Sequence, residues 1–343
     1  MSISINPVSL PMTKAPNNSK VPPPKEEQVP GSKALDPSNG SDPAISEGVD
    51  PLISIGEIEI YKSQLDCLQE LAQNNGLDLE SILSRARIEN GRIIELDLES
   101  VPVSNIDALS NLTSLRVLDL TYTEVSDISV LFYLTDLRKL SLKLTPVSDI
   151  SSLINLSNLR VLNLGHTRIS DLSILSTLTS LQRLYLWGTP VNDLGFLSNL
   201  TNLKSLDLTD TGVSDITALF HLTGLQDLSL MFNPIRDIGV LSNLTGLEML
   251  SLYDTAVSDI SALSYLTNLQ ELELDFTEVS DINPLSSLAN LQIISLSYTK
   301  VSDIRPLFNL HNLEEFRLTG TLVDMELVEA LRLSLPDLEA YSY

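Results

Sequence analysis

Aliphatic residues recur along this chain with a period of 22, and the period holds without a slip from Ile93 to Leu318. Each unit reads LxxLxLxxTxVSDIxxLxxLTx: Leu115, Leu118, Leu120, Thr123, Val125, Ser126, Asp127, Ile128, Leu131 and Leu134 make one copy, and Leu137 opens the next. Units start at Ile93, Leu115, Leu137, Leu159, Leu181, Leu203, Leu225, Leu247, Leu269, Leu291 and Leu313, with a degenerate one at Leu335. Within a unit LxLx alternates with period two and predicts a short strand, whereas VSDIxxLxxL spaces its apolar residues by three and predicts a short helix or 3₁₀ turn. One such coil cannot bury its own leucines. Coils must therefore stack, with strands about 4.8 Å apart in a parallel sheet and the leucines in one long core. The fold class predicted is α/β: a solenoid with a parallel concave β-sheet and short helical or 3₁₀ turns on its convex side.

The ends depart from the period. Residues 1–50 hold Asn17-Asn18-Ser19, Pro22-Pro23-Pro24 and Asp36-Pro37-Ser38-Asn39-Gly40-Ser41, a composition that predicts a disordered leader. In residues 51–91, Leu65, Leu68 and Leu71, then Leu79, Ile82 and Leu83, follow helical spacing broken at Asn74-Asn75-Gly76. Two short helices are predicted to cap the first coil, and Asn90-Gly91 predicts a hairpin beside the first repeat strand. Residues 92–321 are the repeats. In residues 322–343, Val323 to Arg332 replaces the VSDI segment with helical spacing behind Asp324, as a C-terminal capping repeat would.

The 22-residue pattern resembles leucine-rich repeats of the SDS22-like, internalin-type class, and the likeness runs from about Arg92 to Leu318. The class motif has Asn where this chain has Thr123, Thr145, Thr167, Thr189, Thr211, Thr255, Thr277, Thr299 and Thr321; Asn233 alone keeps it. In the family that Asn bonds to backbone of adjoining coils, and a threonine hydroxyl can do part of this work. What the resemblance implies is a leucine-rich-repeat solenoid in a bacterial, internalin-like setting.

Charge narrows the partners. A formal net charge of −24 argues against nucleic acid and favours a protein partner with a basic patch. Apolar runs are too short for a spanning helix, so no membrane insertion is expected. Met1 to Lys20 lack a basic segment followed by an apolar run, so the expected location is cytoplasmic, or outside by a route that uses no conventional signal peptide. The Ser/Pro/Asn-rich leader resembles secretion signals of bacterial injection systems, which would make the protein a bacterial effector.

No enzyme, cofactor or metal is predicted. The column Asp127, Asp149, Asp171, Asp193, Asp215, Asp237, Asp259, Asp281 and Asp303 is read as caps of the helical turns rather than as a calcium ladder, because the glycine-rich turn of a calcium loop is absent. His166, His221 and His311 occupy different phases and cannot cluster by stacking. An alternative reading as a ubiquitin-ligase-type or other enzyme would have to use Cys67, which the helical spacing places in a packing position.

Core positions are dictated by packing, so function should lie in the outward x positions. Aromatic residues make up 5% of the chain, yet the single Trp and many Tyr and Phe fall there. The candidate partner-binding residues are Tyr122, Arg183, Tyr185, Trp187, Phe232, Tyr253, Phe276 and Tyr298, read as anchors on the concave face. That face is also polarised, with Lys139, Lys143 and Arg183 in its N-terminal half and Asp207, Asp227, Asp254, Glu271, Glu273 and Asp275 in the other.

Overall fold

A computed structural model describes residues 50–191, 193–335 and 338–341. The predicted leader thus lies, but for its last residue, outside the described residues, as do Ser342 and Tyr343 of the closing edge.

The repeats fold as stacked coils. After β1 (Leu52–Ile55), β2 (Ile58–Tyr61), α1 (Lys62–Asn74), α2 (Leu79–Leu83), β3 (Ala86–Glu89) and β4 (Arg92–Asp97), each coil contributes one strand of three residues. These are β5 (Val117–Asp119), β6 (Lys139–Ser141), β7 (Val161–Asn163), β8 (Arg183–Tyr185) and β9 (Ser205–Asp207), then β10 (Asp227–Ser229), β11 (Met249–Ser251), β12 (Glu271–Glu273), β13 (Ile293–Ser295) and β14 (Glu315–Arg317). Helix α3 (Met325–Ser334) and strand β15 (Glu339–Tyr341) close the C-terminal end. Strands β3 to β15 form a 13-stranded sheet in chain order, parallel throughout except for the β3–β4 hairpin. The register places Leu118, Leu140, Leu162, Leu184, Leu206, Leu228, Leu250, Leu272, Ile294 and Phe316 in one buried column. Each coil returns through a short 3₁₀ turn, such as Ser129–Tyr133 or Ser261–Tyr265. This is the α/β solenoid that the 22-residue period predicts.

Backbone amides at the turns are satisfied by side chains that recur with the period. The carboxylate of Asp127 accepts from the Ser129 amide at 2.8 Å, Asp171 from Ser173 at 2.9 Å and Asp303 from Arg305 at 3.0 Å, and the intervening coils repeat the bond. These bonds hold the carboxyl groups of Asp127 and Asp215 below the usual range, chiefly through the backbone amide, and that of Asp171 chiefly through the Ser173 hydroxyl. The Arg305 guanidinium adds to this at Asp303, which is lowered to about 2. On the other side of the coil, Asn158, Asn202, Asn268, Asn290 and Asn312 each donate to a carbonyl of the preceding coil at 2.8–3.0 Å.

The threonine column works mostly within its own coil. Thr123, Thr145, Thr211, Thr255, Thr277 and Thr299 each donate to the carbonyl three residues back at 2.6–2.8 Å. Asn233 does more. Its amide donates to Leu208 in the preceding coil at 2.7 Å and to Leu230 and Met231 in its own, while its oxygen accepts from the amides of Thr211, Gly212 and Val213.

Both ends of the core are covered. On the N-terminal side α1 buries Leu65, Cys67, Leu68 and Leu71, and Asn75 ties it to the first coil through the amides of Ser104 and Asn105. Asn90 and Gly91 take φ of 51° and 77°, the left-handed pair that a two-residue hairpin needs. A second hairpin, β1–β2, precedes α1, in the part of residues 51–91 for which only helices and the Asn90-Gly91 hairpin were predicted. Its residues LISIGEIEIY alternate apolar with polar, and Gly56 turns the chain at φ 62°. At the other end Asp324 accepts from the Glu326 amide and caps α3, which buries Val328 and Leu331. No helix among the described residues is long and apolar enough to cross a membrane.

Candidate binding face

Each three-residue strand points its middle side chain into the core and its first and third outward. Of the predicted set, Arg183 and Tyr185 occupy such outward strand positions, on β8. The others do not lie on strands. Tyr122, Trp187, Phe232, Tyr253, Phe276 and Tyr298 fall on the turn that follows the strand, at the lip where the concave sheet gives way to the ascending loop. The cause is the backbone. The residue before each threonine of the column, or before Asn233, is left-handed, with φ of 50–58° at Tyr122, Leu144, His166, Asp210, Phe232, Asp254, Phe276 and Tyr298. That conformation ends the strand and costs about 1–2 kcal/mol in any residue with a Cβ, which is why Gly or Asn usually fills it. Here Tyr122, Phe232, Phe276 and Tyr298 take it while 44–66% exposed.

Four of these rings form a ladder across successive coils. Phe232 meets Tyr253 at 5.1 Å between centroids, Tyr253 meets Phe276 at 5.3 Å, and Phe276 stacks on Tyr298 at 4.4 Å. A second, smaller group lies toward the N-terminal side. Trp187 meets the edge of His166 at 4.3 Å and carries the Lys143 ammonium over its ring at 5.0 Å. Tyr122 belongs to neither group and stands on an earlier coil.

Trp187 depends on a gap in the preceding coil. A Cβ at Gly165 would sit 2.2 Å from the indole nitrogen. Gly165→Ala is therefore expected to push the ring out into solvent. Because Trp187 is the single tryptophan, intrinsic fluorescence reports the change directly, as a shift of the emission maximum to longer wavelength.

Charge on the strand side follows the predicted polarity with two corrections, the first being Asp254, which lies on the turn at the lip. Asp275 is buried rather than outward, and its carboxylate accepts from the Ser295 hydroxyl at 2.6 Å and the Ser297 amide at 2.7 Å. It serves as an inter-coil tie. Asp227 remains on the face, where burial and then the neighbouring charge of Glu248 push its carboxyl up.

Sequence reasoning passed over several exposed apolar side chains. Met249 projects from β11, and Phe132, Tyr133, Phe220 and Tyr265 project from the convex turns. The convex group was visible as aromatic residues at a repeat position that is polar in other coils, as in Ser110-Asn111, Ser198-Asn199 and Ser242-Asn243. Cys67 is buried in α1, and burial, then the charge of Glu70, pushes its thiol up, away from the nucleophilic thiolate. What the face offers is contact: rings, an acidic stretch and a few cations.

The repeat pattern and this geometry have known counterparts. A family model for leucine-rich repeats in two copies matches residues 179–221 and 245–287. Among solved structures, the internalin InlF of Listeria monocytogenes is 27% identical, over 82% of this chain and 90% of its own, with a TM-score of 0.62. The internalin InlC2 of the same organism is 28% identical, over 75% of this chain and 92% of its own, at 0.51. The receptor TLR13, solved as a complex with ssRNA13, is 27% identical over 64% of this chain and 35% of its own, at 0.53. No curated protein sequence matches the chain. The chain carries leucine-rich repeats and shares its fold with the internalins. Such folds are common protein-interaction scaffolds and are typically non-enzymatic.

Proposed function

We propose that this protein is a non-enzymatic scaffold that binds a protein partner on the concave face and its lip, with the Phe232–Tyr253–Phe276–Tyr298 ladder as the principal anchor. The observation that carries the reading is that three of the ladder's four rings, Phe232, Phe276 and Tyr298, are half-exposed in left-handed backbone. Folding alone would favour Gly or Asn at these positions, and ring-to-ring contacts worth about 0.5–1.5 kcal/mol offset only part of the strain. Rigid aromatic surface of this kind is what protein interfaces concentrate as hot spots. A net charge of −24 favours a polypeptide over an RNA ligand, which would need a basic track. Delivery of the protein into a host cell is the setting that the composition of the first 50 residues favours, and loss of export on deleting residues 1–50 tests it.

The binding reading is tested with Phe232→Asn, Phe276→Asn and Tyr298→Asn combined, since Asn accepts the left-handed backbone. Thermal stability is expected to change little. The partner captured by the unaltered protein is expected to bind the variant at least about 30-fold more weakly, as loss of about 2 kcal/mol or more at central anchors implies. Unchanged affinity would move the interface off the ladder.

A further inference from the structure

Two hollows lie side by side on the strand side and share Tyr185. The N-terminal one, of about 380 Å³, is lined by three cations, Lys139, Lys143 and Arg183, together with Asn163 and two carboxylates, Glu99 and Asp119. Among the described residues none of these three cations enters a salt bridge. That is notable in a chain with 21 basic and 45 acidic residues, where carboxylates to pair with are plentiful. The second hollow, of about 270 Å³, is lined by Asp207, Asp227, Glu271 and Glu273, and Met249 forms an apolar part of its wall. Burial and then the charge of nearby Glu248 push the Asp227 carboxyl up, Arg183 offsets part of this, and a cation seated in the hollow would relieve the rest.

We infer that the concave face takes an extended polypeptide segment of bipolar charge, its acidic end over Lys139, Lys143 and Arg183 and its basic end over Asp207, Asp227, Glu271 and Glu273. The inference rests on the reading of this face as protein-binding and adds the partner's charge order. Charge complementarity selects the occupant. A uniformly basic segment would meet three unpaired cations, and a uniformly acidic one would meet four carboxylates. Neutral, apolar residues of the segment would lie on Tyr185 and Met249.

The spacing follows from the sheet. The cations centre on β7 and the carboxylates between β10 and β11, so their centres are about 17 Å apart at about 4.8 Å per strand. An extended chain covers that distance in about five residues. The segment therefore has an acidic block and a basic block whose centres lie about five residues apart.

The test uses the full chain and two synthetic peptides of identical composition, titrated by calorimetry. In one, three Glu and three Lys form blocks separated by two neutral residues, which sets their centres five residues apart; in the other they alternate. The block peptide is expected to bind about tenfold more tightly in low salt, with the advantage fading as ionic strength rises. Lys139→Glu with Arg183→Glu is expected to abolish the advantage, and so is Asp227→Lys with Glu271→Lys. Adding Lys143→Glu, Asp207→Lys and Glu273→Lys to those four, so that all seven charges are reversed, is expected to restore it, because the reversed field accepts the same peptide in the opposite direction; a variant that merely misfolded could not do so. Equal binding of the two peptides, or an advantage that survives either pair of substitutions, overturns the inference. Such a result leaves the ladder reading standing if the Asn variants of Phe232, Phe276 and Tyr298 still lose the captured partner. Retention of that partner by the ladder variants sinks the broader reading instead.

Discussion

Replacing Asn233 with alanine is expected to destabilise the protein by about 3–5 kcal/mol, the range for removing a buried group on which several backbone partners depend. Asn233 is 2% exposed. Its side-chain oxygen sits at 2.9–3.2 Å from the amides of Thr211, Gly212 and Val213, and its amide nitrogen at 2.7–3.0 Å from the carbonyls of Leu208, Leu230 and Met231. Alanine leaves those groups facing a space with no donor or acceptor. Each buried, unpaired backbone group costs about 1–3 kcal/mol, reduced where water enters or the loop shifts. Substitution by threonine, the residue of most other coils, should cost less, because a hydroxyl can still reach the carbonyl three residues back, as Thr255 reaches Leu252 at 2.8 Å. Urea unfolding distinguishes the two variants by their midpoints. A loss below about 1 kcal/mol for the alanine variant would mean that this side chain is not the tie between coils that its bonds describe.

The second large effect lies at the C-terminal end. Phe316 is fully buried and stands in the core column that Leu118 to Ile294 otherwise fill. It lies in the last coil before α3, which brings Val328 and Leu331 into the core. Phe316→Ala is expected to cost about 3–5 kcal/mol from lost transfer energy and the cavity left behind. In a solenoid each coil touches only its neighbours, so the loss should not spread evenly. Amides of β13, β14 and β15 are expected to exchange with solvent well before those of β7 to β10, and the unfolding transition to broaden. Leu206→Ala, a similar deletion in the middle of the stack, should instead weaken both flanks. If Phe316→Ala unfolds in one sharp transition with uniform exchange, the coils are more cooperative than nearest-neighbour packing implies.

These two positions mark how far periodicity reaches. Asn233 stood out in the sequence as the one departure from a threonine column, but which carbonyls and amides it joins depends on the loop geometry of the coil before it. The Asp column was legible as capping because an acidic residue ahead of an apolar-by-three segment has a local partner, and the bonds from Asp127 to Ser129 through Asp303 to Arg305 are local. Asp275 was not legible. Its outward position in the repeat says nothing of Ser295 and Ser297, whose hydroxyl and amide, 20 and 22 residues on, draw its carboxylate inward.

For the candidate face the division is similar. Composition and phase picked out Arg183 and Tyr185 as outward strand residues because the period-two rule is local. They also picked out the aromatic columns, but assigned Tyr122, Trp187, Phe232, Tyr253, Phe276 and Tyr298 to the sheet. The left-handed residue before the threonine ends each strand early and carries these rings to the lip, and the adjacency of Phe232, Tyr253, Phe276 and Tyr298 then follows from stacking one coil on the next. What the sequence by itself determined is the repeat, the core and the direction of each side chain relative to its own coil, since these follow from hydrophobic period and local hydrogen bonds. Which rings touch, which charges stay unpaired and which carboxylates turn inward was decided only by the tertiary structure, because those contacts join residues about one period apart across a stack whose spacing and turn geometry no single repeat contains.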